Sequence, residues 1–291
     1  MHDTIKNQLQ ENGFVILEDF LRPAECDELI EAALEFTEKL PIKEERITFT
    51  STDPENKHLK EDYFMRSNDK MSIFFEESAL DEVGELKVDR TLCLNKIGHA
   101  LHQLHPMFRC YTYSERVKAV CRELEFIEPA VVQSMYIFKN PGIGGELKPH
   151  QDVTYLHTEP LSPIGFWIAL EDATIENGCL WLVRGSHKSG VHRRLMRSPQ
   201  PDGRDELVYD NPSPVYPESS FTPFPVMKGT CILLHGNLVH RSAHNKSDKS
   251  RHAYVFHVIE RQNNNYSPEN WLQEGESAPF ENLFDARQMI Y

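Results

Sequence analysis

The stretch VVQSMYIFKNPGIGGELKPHQD (residues 131–152) decides how the chain is read. Its opening run is rich in β-branched and aromatic side chains. Asn140-Pro-Gly142 and Gly144-Gly145 then stop it, so a strand followed by turns is expected. The same texture recurs at 164–170 (IGFWIAL), 179–183 (CLWLV), 230–235 (TCILLH) and 251–259 (RHAYVFHVI), bounded by turn formers such as Glu176-Asn-Gly178 and Lys228-Gly229. Repeated short strands of this kind predict an all-β sandwich or barrel over about residues 130–260. The stretch closes on His150-Gln-Asp152. Side chains two apart on an extended chain point to the same side, so an imidazole and a carboxylate can reach one point.

Upstream the texture is helical. A short helix ending at Asn12-Gly13, a strand at Phe14–Leu17 and a helix led by Pro23 open the chain. In that helix Cys26, Leu29, Ile30, Ala33, Phe36 or Thr37, and Leu40 recur at three- and four-residue steps, a one-face packing pattern. Residues 91–104 (TLCLNKIGHALHQL) and 114–124 (SERVKAVCREL) also read as helices. His99 and His102 then share one face; such a pair could ligate a metal, but with His105 it reads rather as a wet helix surface. The expected architecture is mainly β with flanking helices, in one domain spanning residues 1–291: a helical layer over about 1–125, a β core over about 130–260 and a C-terminal segment 261–291. Residues 188–222 hold Pro199, Pro201, Pro212, Pro214 and Pro217 without periodicity and read as a long surface loop. With 47–76 it is a candidate lid.

Composition excludes several classes. Thirty-one Lys and Arg against forty-five Asp and Glu leave a net charge of −14, which repels nucleic-acid backbones and anionic lipid. No apolar run approaches the ~20 residues of a spanning helix. The first residues hold no signal core and the last no peroxisomal address, so a cytoplasmic protein without membrane insertion is expected. Six scattered cysteines without a C-x-x-C pair read as reduced core residues. The sequons at Asn245 and Asn265 carry little weight without a secretory signal.

His150 and Asp152 offer two metal ligands, and His240, at a turn after TCILLH, offers a third. Two histidines and one carboxylate with the opposite side open are the facial triad of non-haem Fe(II) oxygenases. Fourteen histidines make an accidental H-x-D pair easy, so the spacing alone also fits a surface pair. Arg251 shifts the balance. It opens a strand in which Arg251, Ala253, Val255 and His257 share one face, and an inward arginine is costly unless an anion meets it. A dicarboxylate chelating iron at one end would present its far carboxylate to that guanidinium. Taken singly, Arg251 reads as a rim salt bridge, and His257 as a satisfied core histidine or a hydrogen-bond partner for substrate.

Together with EDATIENGCLWLVRGSH (171–187), SPENWL (267–272) and H-x-S-x-x-N-x-S-x-x-x-R (His240, Ser242, Asn245, Ser247, Arg251), these residues make the chain resemble the phytanoyl-CoA dioxygenase family from about residue 8 to 272. The resemblance implies a double-stranded β-helix (jelly roll), Fe(II), 2-oxoglutarate and O2, with ascorbate in support. The implied reaction hydroxylates a C–H bond of a small-molecule substrate, acyl or lipid-like compounds among the candidates, and releases succinate and CO2. His150, Asp152 and His240 match the catalytic iron ligands, and Arg251 matches the residue that holds the far carboxylate of 2-oxoglutarate. Lys96, Met135, Trp167 and Ser242 match supporting cosubstrate positions.

Without the resemblance, Lys96 reads equally as an exposed helix lysine, and Met135 and Trp167 as core fillers. Ser242 shares the parity of His240, so its hydroxyl can reach the carboxylate that Arg251 holds. In the family pattern that the chain resembles, His187, His235 and His244 fall near the same rim, where structural turn roles are expected for at least two. Arg193, Arg194 and Arg197 read as a solvated loop or as a phosphate patch for a CoA thioester. Asp152 disfavours the related halogenases, which place a small residue there, and a zinc hydrolase lacks its H-E-x-x-H motif. A catalytically silent jelly-roll module that binds metal and 2-oxoglutarate shares every motif, and succinate formation separates it from the enzyme. The oligomeric state stays open, a monomer included.

Overall fold

Helix α1 (Ile5–Asn12) starts at Thr4, whose hydroxyl accepts the Asn7 N–H at 3.2 Å, and stops at Gly13, where φ is +86°. That left-handed conformation favours glycine, and a Cβ there would also stand 2.5 Å from His187 Nδ1. Strand β1 (Phe14–Leu17) follows, then α2 (Pro23–Glu38), which opens with proline in its first turn. The computed structural model describes residues 4–49, 62–201, 203 and 205–286. Next come β2 (Thr48–Phe49), β3 (Met71–Glu76), β4 (Leu94–His99), α3 (Leu101–Leu104), α4 (Pro106–Thr112) and α5 (Glu115–Glu123). The remainder is built on β5 (Pro129–Ile137), β6 (Leu147–His150), β7 (Thr158–Glu159), β8 (Ile164–Ala169), β9 (Leu180–Leu182), β10 (Leu195–Pro199) and β11 (Asp205–Tyr209). It ends with β12 (Thr222–Phe224), β13 (Cys231–His235), β14 (His240–Ser242), β15 (Ala253–Glu260) and β16 (Asn265–Tyr266).

Two sheets position the site. The larger has eight strands in the order β1-β13-β8-β15-β5-β4-β3-β2, antiparallel except for β2 with β3, and the smaller runs β12-β9-β14-β6. Alternate residues of the large sheet serve different layers. Phe166, Ile168, Leu233, Tyr254 and Phe256 pack with Leu29 of α2, Phe108 of α4 and Val117 of α5. Trp167, Ala169, Ile232, Ala253 and Val255 pack instead with Leu180 and Leu182 of the small sheet. Central strands covered on both faces read as continuous apolar runs, which is why IGFWIA shows no alternation. Among the described residues no helix is long and apolar enough to cross a membrane.

Several expectations change in detail. The first 125 residues supply strands as well as helices, β1 at one edge of the large sheet and β2, β3 and β4 at the other. Residues 91–104 are not one helix: a 3-10 turn ends at Leu92, β4 occupies 94–99 and only Leu101–Leu104 is α-helical. Because β4 lies between β3 and β5 and is buried, its apolar residues lack the two-residue period and mimic a helical face. His99 and His102 are accordingly buried rather than on a wet surface. The proline-rich loop 188–222 contains the β10–β11 hairpin, and β12 carries Pro223 on the edge of the small sheet, where strands accommodate proline. Of the candidate lid at 47–76, residues 50–61 lie outside the described residues, while β2 and β3 extend the large sheet.

Candidate metal and anion site

His150 ends β6, His240 begins β14, and the two are direct partners in the antiparallel register. Their ring centroids are 4.2 Å apart. His150 Nδ1 lies 2.9 Å from the Lys148 carbonyl and His240 Nδ1 lies 3.0 Å from the Leu238 carbonyl. A carbonyl only accepts, so each Nδ1 carries the proton and each Nε2 presents a bare lone pair. Asp152 follows at the start of a short 3-10 turn, its Oδ1 3.6 Å from His150 Nε2 and 3.5 Å from His240 Nε2. One ligand atom from each residue lies within 4.8 Å of the other two.

The electrostatics suit a cation. Burial, reinforced by His150, lowers His240 to about 4, which keeps its imidazole neutral. Burial alone would raise the Asp152 carboxyl, but His240, His257 and a contact with His150 outweigh it and hold the group well below the usual carboxylate range. A neutral His240 imidazole and an ionised Asp152 carboxylate result.

Gln151, between the two ligands, is a site residue that the sequence did not single out. Its amide donates to the Gly190 carbonyl at 2.9 Å and the Asn237 carbonyl at 2.7 Å, and its oxygen accepts the His192 N–H at 2.8 Å. It therefore straps the ligand turn to the loop before His240. The Val153 N–H adds a bond to the Gly236 carbonyl at 3.0 Å.

Arg251 precedes β15 and is 2% exposed. Its Nε and Nη1 have no hydrogen-bond partner among the described residues. Burial pushes its guanidinium down to about 10, and its carbon lies 5.3 Å from the centre of the Trp167 ring. Glu171 does not pair with it: that carboxylate accepts from Ser250 Oγ at 2.9 Å and from the His252 N–H at 2.8 Å. A buried cation with free donors is a costly arrangement that an anion relieves. Asn245 and Ser247 shape the approach to it. The Asn245 amide donates to the carbonyls of Lys139 and Lys249 at 2.8 and 2.7 Å, while its oxygen accepts the Ser247 N–H at 2.9 Å. Fully buried and so engaged, Asn245 is a turn-holding residue rather than a glycan acceptor.

The family model for phytanoyl-CoA dioxygenase (PhyH) matches residues 9–253, spanning all of these positions. The chain belongs to the phytanoyl-CoA dioxygenase family. Phytanoyl-CoA dioxygenase domain-containing protein 1 of Danio rerio is 46% identical over 282 residues, covering 95% of this chain and 96% of that protein. Two solved folds are also similar. The non-heme alpha ketoglutarate dependent carbocyclase SnoK shares 20% identity, a TM-score of 0.61 and coverage of 96% of this chain and 95% of its own. The epimerase SnoN, solved with Fe3+, alpha ketoglutarate and nogalamycin RO, shares 15% identity and a TM-score of 0.58 over 94% of this chain and 96% of its own.

The remaining positions taken from the family sit around the same inner face. Met135, Val255 and Trp167 are cross-strand partners in one row of the large sheet, and Lys96, Ile137, Ala253 and Ala169 form the next. Lys96 is a buried strand residue, not an exposed helix lysine. Its ammonium lies 3.6 Å from the Phe49 ring centre and 5.1 Å from that of Phe74, and burial lowers it to about 7. Ser242 is buried, and its hydroxyl proton is spent on the Gly178 carbonyl at 2.8 Å. The rim histidines bind backbone: His187 Nε2 reaches the Gln10 carbonyl at 2.9 Å, His235 Nδ1 accepts the Asn237 N–H at 3.1 Å, and His244 Nε2 reaches the Gly142 carbonyl at 3.0 Å.

Proposed function

We propose that this family member is an Fe(II)- and 2-oxoglutarate-dependent dioxygenase of jelly-roll fold that hydroxylates a small-molecule substrate. The observation that carries the reading is the pairing of two complementary features on one inner face. One is the cluster His150, Asp152 and His240, with two bare imidazole nitrogens and an ionised carboxylate within 4.8 Å of one another. The other is Arg251, buried with two unsatisfied nitrogens. The first donor set fits a divalent transition metal and the second fits a carboxylate. Iron with 2-oxoglutarate and O2, when bound, supplies oxidative decarboxylation to succinate and CO2 and the power to hydroxylate an unactivated C–H bond.

The chain's own residues then have distinct tasks. His150, Asp152 and His240 hold the metal on one side and leave the other side for cosubstrate. Arg251 grips the far carboxylate, with the Trp167 ring as the wall behind its guanidinium. Lys96 lies in the neighbouring row as a second cation for the same anion, and Met135 lines the row between.

The basic loop cluster supports a substrate smaller than a CoA thioester. Arg194 is paired with Glu269 at 3.3 Å and Arg197 with Asp205 at 3.2 Å, while Arg193 lies 3.8 Å from the Tyr209 ring centre. Two of the three guanidinium groups are thus occupied by the fold.

Calorimetric titration of 2-oxoglutarate into the Mn(II)-loaded chain, without O2, tests the assignment. Binding that needs the metal and is lost in Arg251→Ala is expected. Failure of the Mn(II)-loaded wild type to bind 2-oxoglutarate would overturn it.

A further inference from the structure

The two oxygens of Asp152 have different neighbours. Oδ1 receives both close approaches from the ligand imidazoles, at 3.6 and 3.5 Å, while Oδ2 is met by His257 Nε2 at 3.2 Å. Oδ2 also lies against Gly165 of β8, where an added Cβ would stand 3.0 Å from it and 3.5 Å from His257 Nε2. His257, 3% exposed, faces Gly165 across the β15–β8 register and Gln133 across the β15–β5 register.

We propose that His257 is a positioning residue whose Nε2–H holds Asp152 Oδ2, so that Oδ1 alone is presented to the metal. This rests on the reading of His150, Asp152 and His240 as metal ligands. Oδ2 is buried and accepts no well-directed hydrogen bond among the described residues, so the His257 contact at 3.2 Å is its nearest polar approach: a bare Nε2 would set one lone pair against those of the carboxylate, whereas a proton there turns the contact into an attraction. A proton therefore sits on Nε2. Nδ1 lies on the ring edge away from Gly165, buried and without a partner among the described residues. His150 and His240 differ, each with its proton on Nδ1 and directed at a backbone carbonyl. Three imidazoles thus surround one carboxylate: two present lone pairs to the metal, and the third clamps the ligand they share. Gly165 is the complement of that clamp, because a Cβ there, 3.0 Å from Oδ2, would make the carboxylate shift from its seat against β8 and β15.

The test is the Mn(II) affinity of the full chain, read from the electron paramagnetic resonance signal of free Mn(II), alongside the melting temperature of the metal-free protein. His257→Ala is expected to weaken Mn(II) binding by about 10- to 100-fold. His257→Gln, which keeps an N–H donor of similar reach, is expected to recover most of that loss. A merely structural His257 would lower the melting temperature of the alanine variant and leave its Mn(II) affinity at the wild-type value, which would overturn the proposal. Gly165→Ala keeps His257 in place and is expected to weaken binding too, so the test holds even if His257→Ala fails to fold. Wild-type Mn(II) affinity in a folded Gly165→Ala variant would count against the clamp. Failure of the unmodified chain to bind Mn(II) would overturn the metal site itself, a separate outcome.

Discussion

His150 and His240 are direct register partners across β6 and β14, and their rings meet with centroids 4.2 Å apart. The register brings together two ligands far apart in the chain, and the same local device orients both. In each, Nδ1 is bound to the carbonyl two residues earlier, so the bare Nε2 atoms converge on Asp152 Oδ1. Orientation by a second hydrogen bond is the usual means of preparing histidine for a metal.

Asp152→Ala is expected to abolish iron-dependent turnover of 2-oxoglutarate, by more than about 100-fold, because it removes a ligand and not only its support. The metal-free fold is expected to survive, since Asp152 follows β6 in a turn whose backbone is held by Gly236. Succinate release and circular dichroism on the same preparation check both halves. Full turnover in this variant would remove Asp152 from the ligand set.

Arg251→Ala is expected to raise the apparent KM for 2-oxoglutarate, with a loss on the order of 2–5 kcal/mol for a buried charge contact. The metal-free melting temperature should change far less, because the guanidinium is buried with two unsatisfied nitrogens and contributes little net stability before its anion arrives. Steady-state kinetics and thermal denaturation decide this, and an unchanged KM would contradict it.

Lys96 should leave a pH signature in stability. Burial lowers the folded value to about 7 from an ordinary value of 10.5, so between these the unfolded chain holds a proton that the native chain lacks. Raising pH through that window therefore favours the native state, and the cost of burying the cation is greatest at and below about pH 7. Lys96→Met has no such cost. Its stability advantage over wild type is expected to shrink by on the order of 2 kcal/mol between about pH 7 and pH 9, measured by urea unfolding without ligand. A pH-independent difference would refute the buried, depressed amine.

Gln151→Leu is expected to destabilise the chain by roughly 3 kcal/mol, because the Gly190 and Asn237 carbonyls and the His192 N–H lose their partner together. Since Asn237 precedes His240 and Gln151 adjoins both other ligands, Mn(II) affinity should fall as well. Chemical denaturation and metal titration measure the two effects, and a loss of stability with unaltered affinity would limit Gln151 to a structural strap.

Much of the fold was legible because its signals are local. The Gly13 stop, the Pro23 start and the strand runs near 131–137, 164–169, 231–235 and 253–259 come from turn residues and β-branched content, and the structure has elements there. Strand β4 was not legible. Burial between β3 and β5 removes the alternation that marks a strand, and Lys96, His99 and His102 then fall on what looks like a polar helix face. The site divided in the same way. His150 and Asp152 are two apart in one segment, and Arg251 was singled out by its parity with the run that becomes β15. The tasks of Gln151, Asn245 and His257 depend on which loops lie beside them, and no local spacing encodes that. Buried polar side chains near a suspected ligand were the available signal.

The central claim is that His150, Asp152, His240 and Arg251 form a working dioxygenase centre. Its most direct test is succinate formation from 2-oxoglutarate by the purified chain with Fe(II), ascorbate and O2, run beside His150→Ala. The account predicts succinate production by the wild type that is strictly iron-dependent and absent in the variant. Equal succinate formation by His150→Ala, or none by a wild type that fails to bind 2-oxoglutarate, would contradict it.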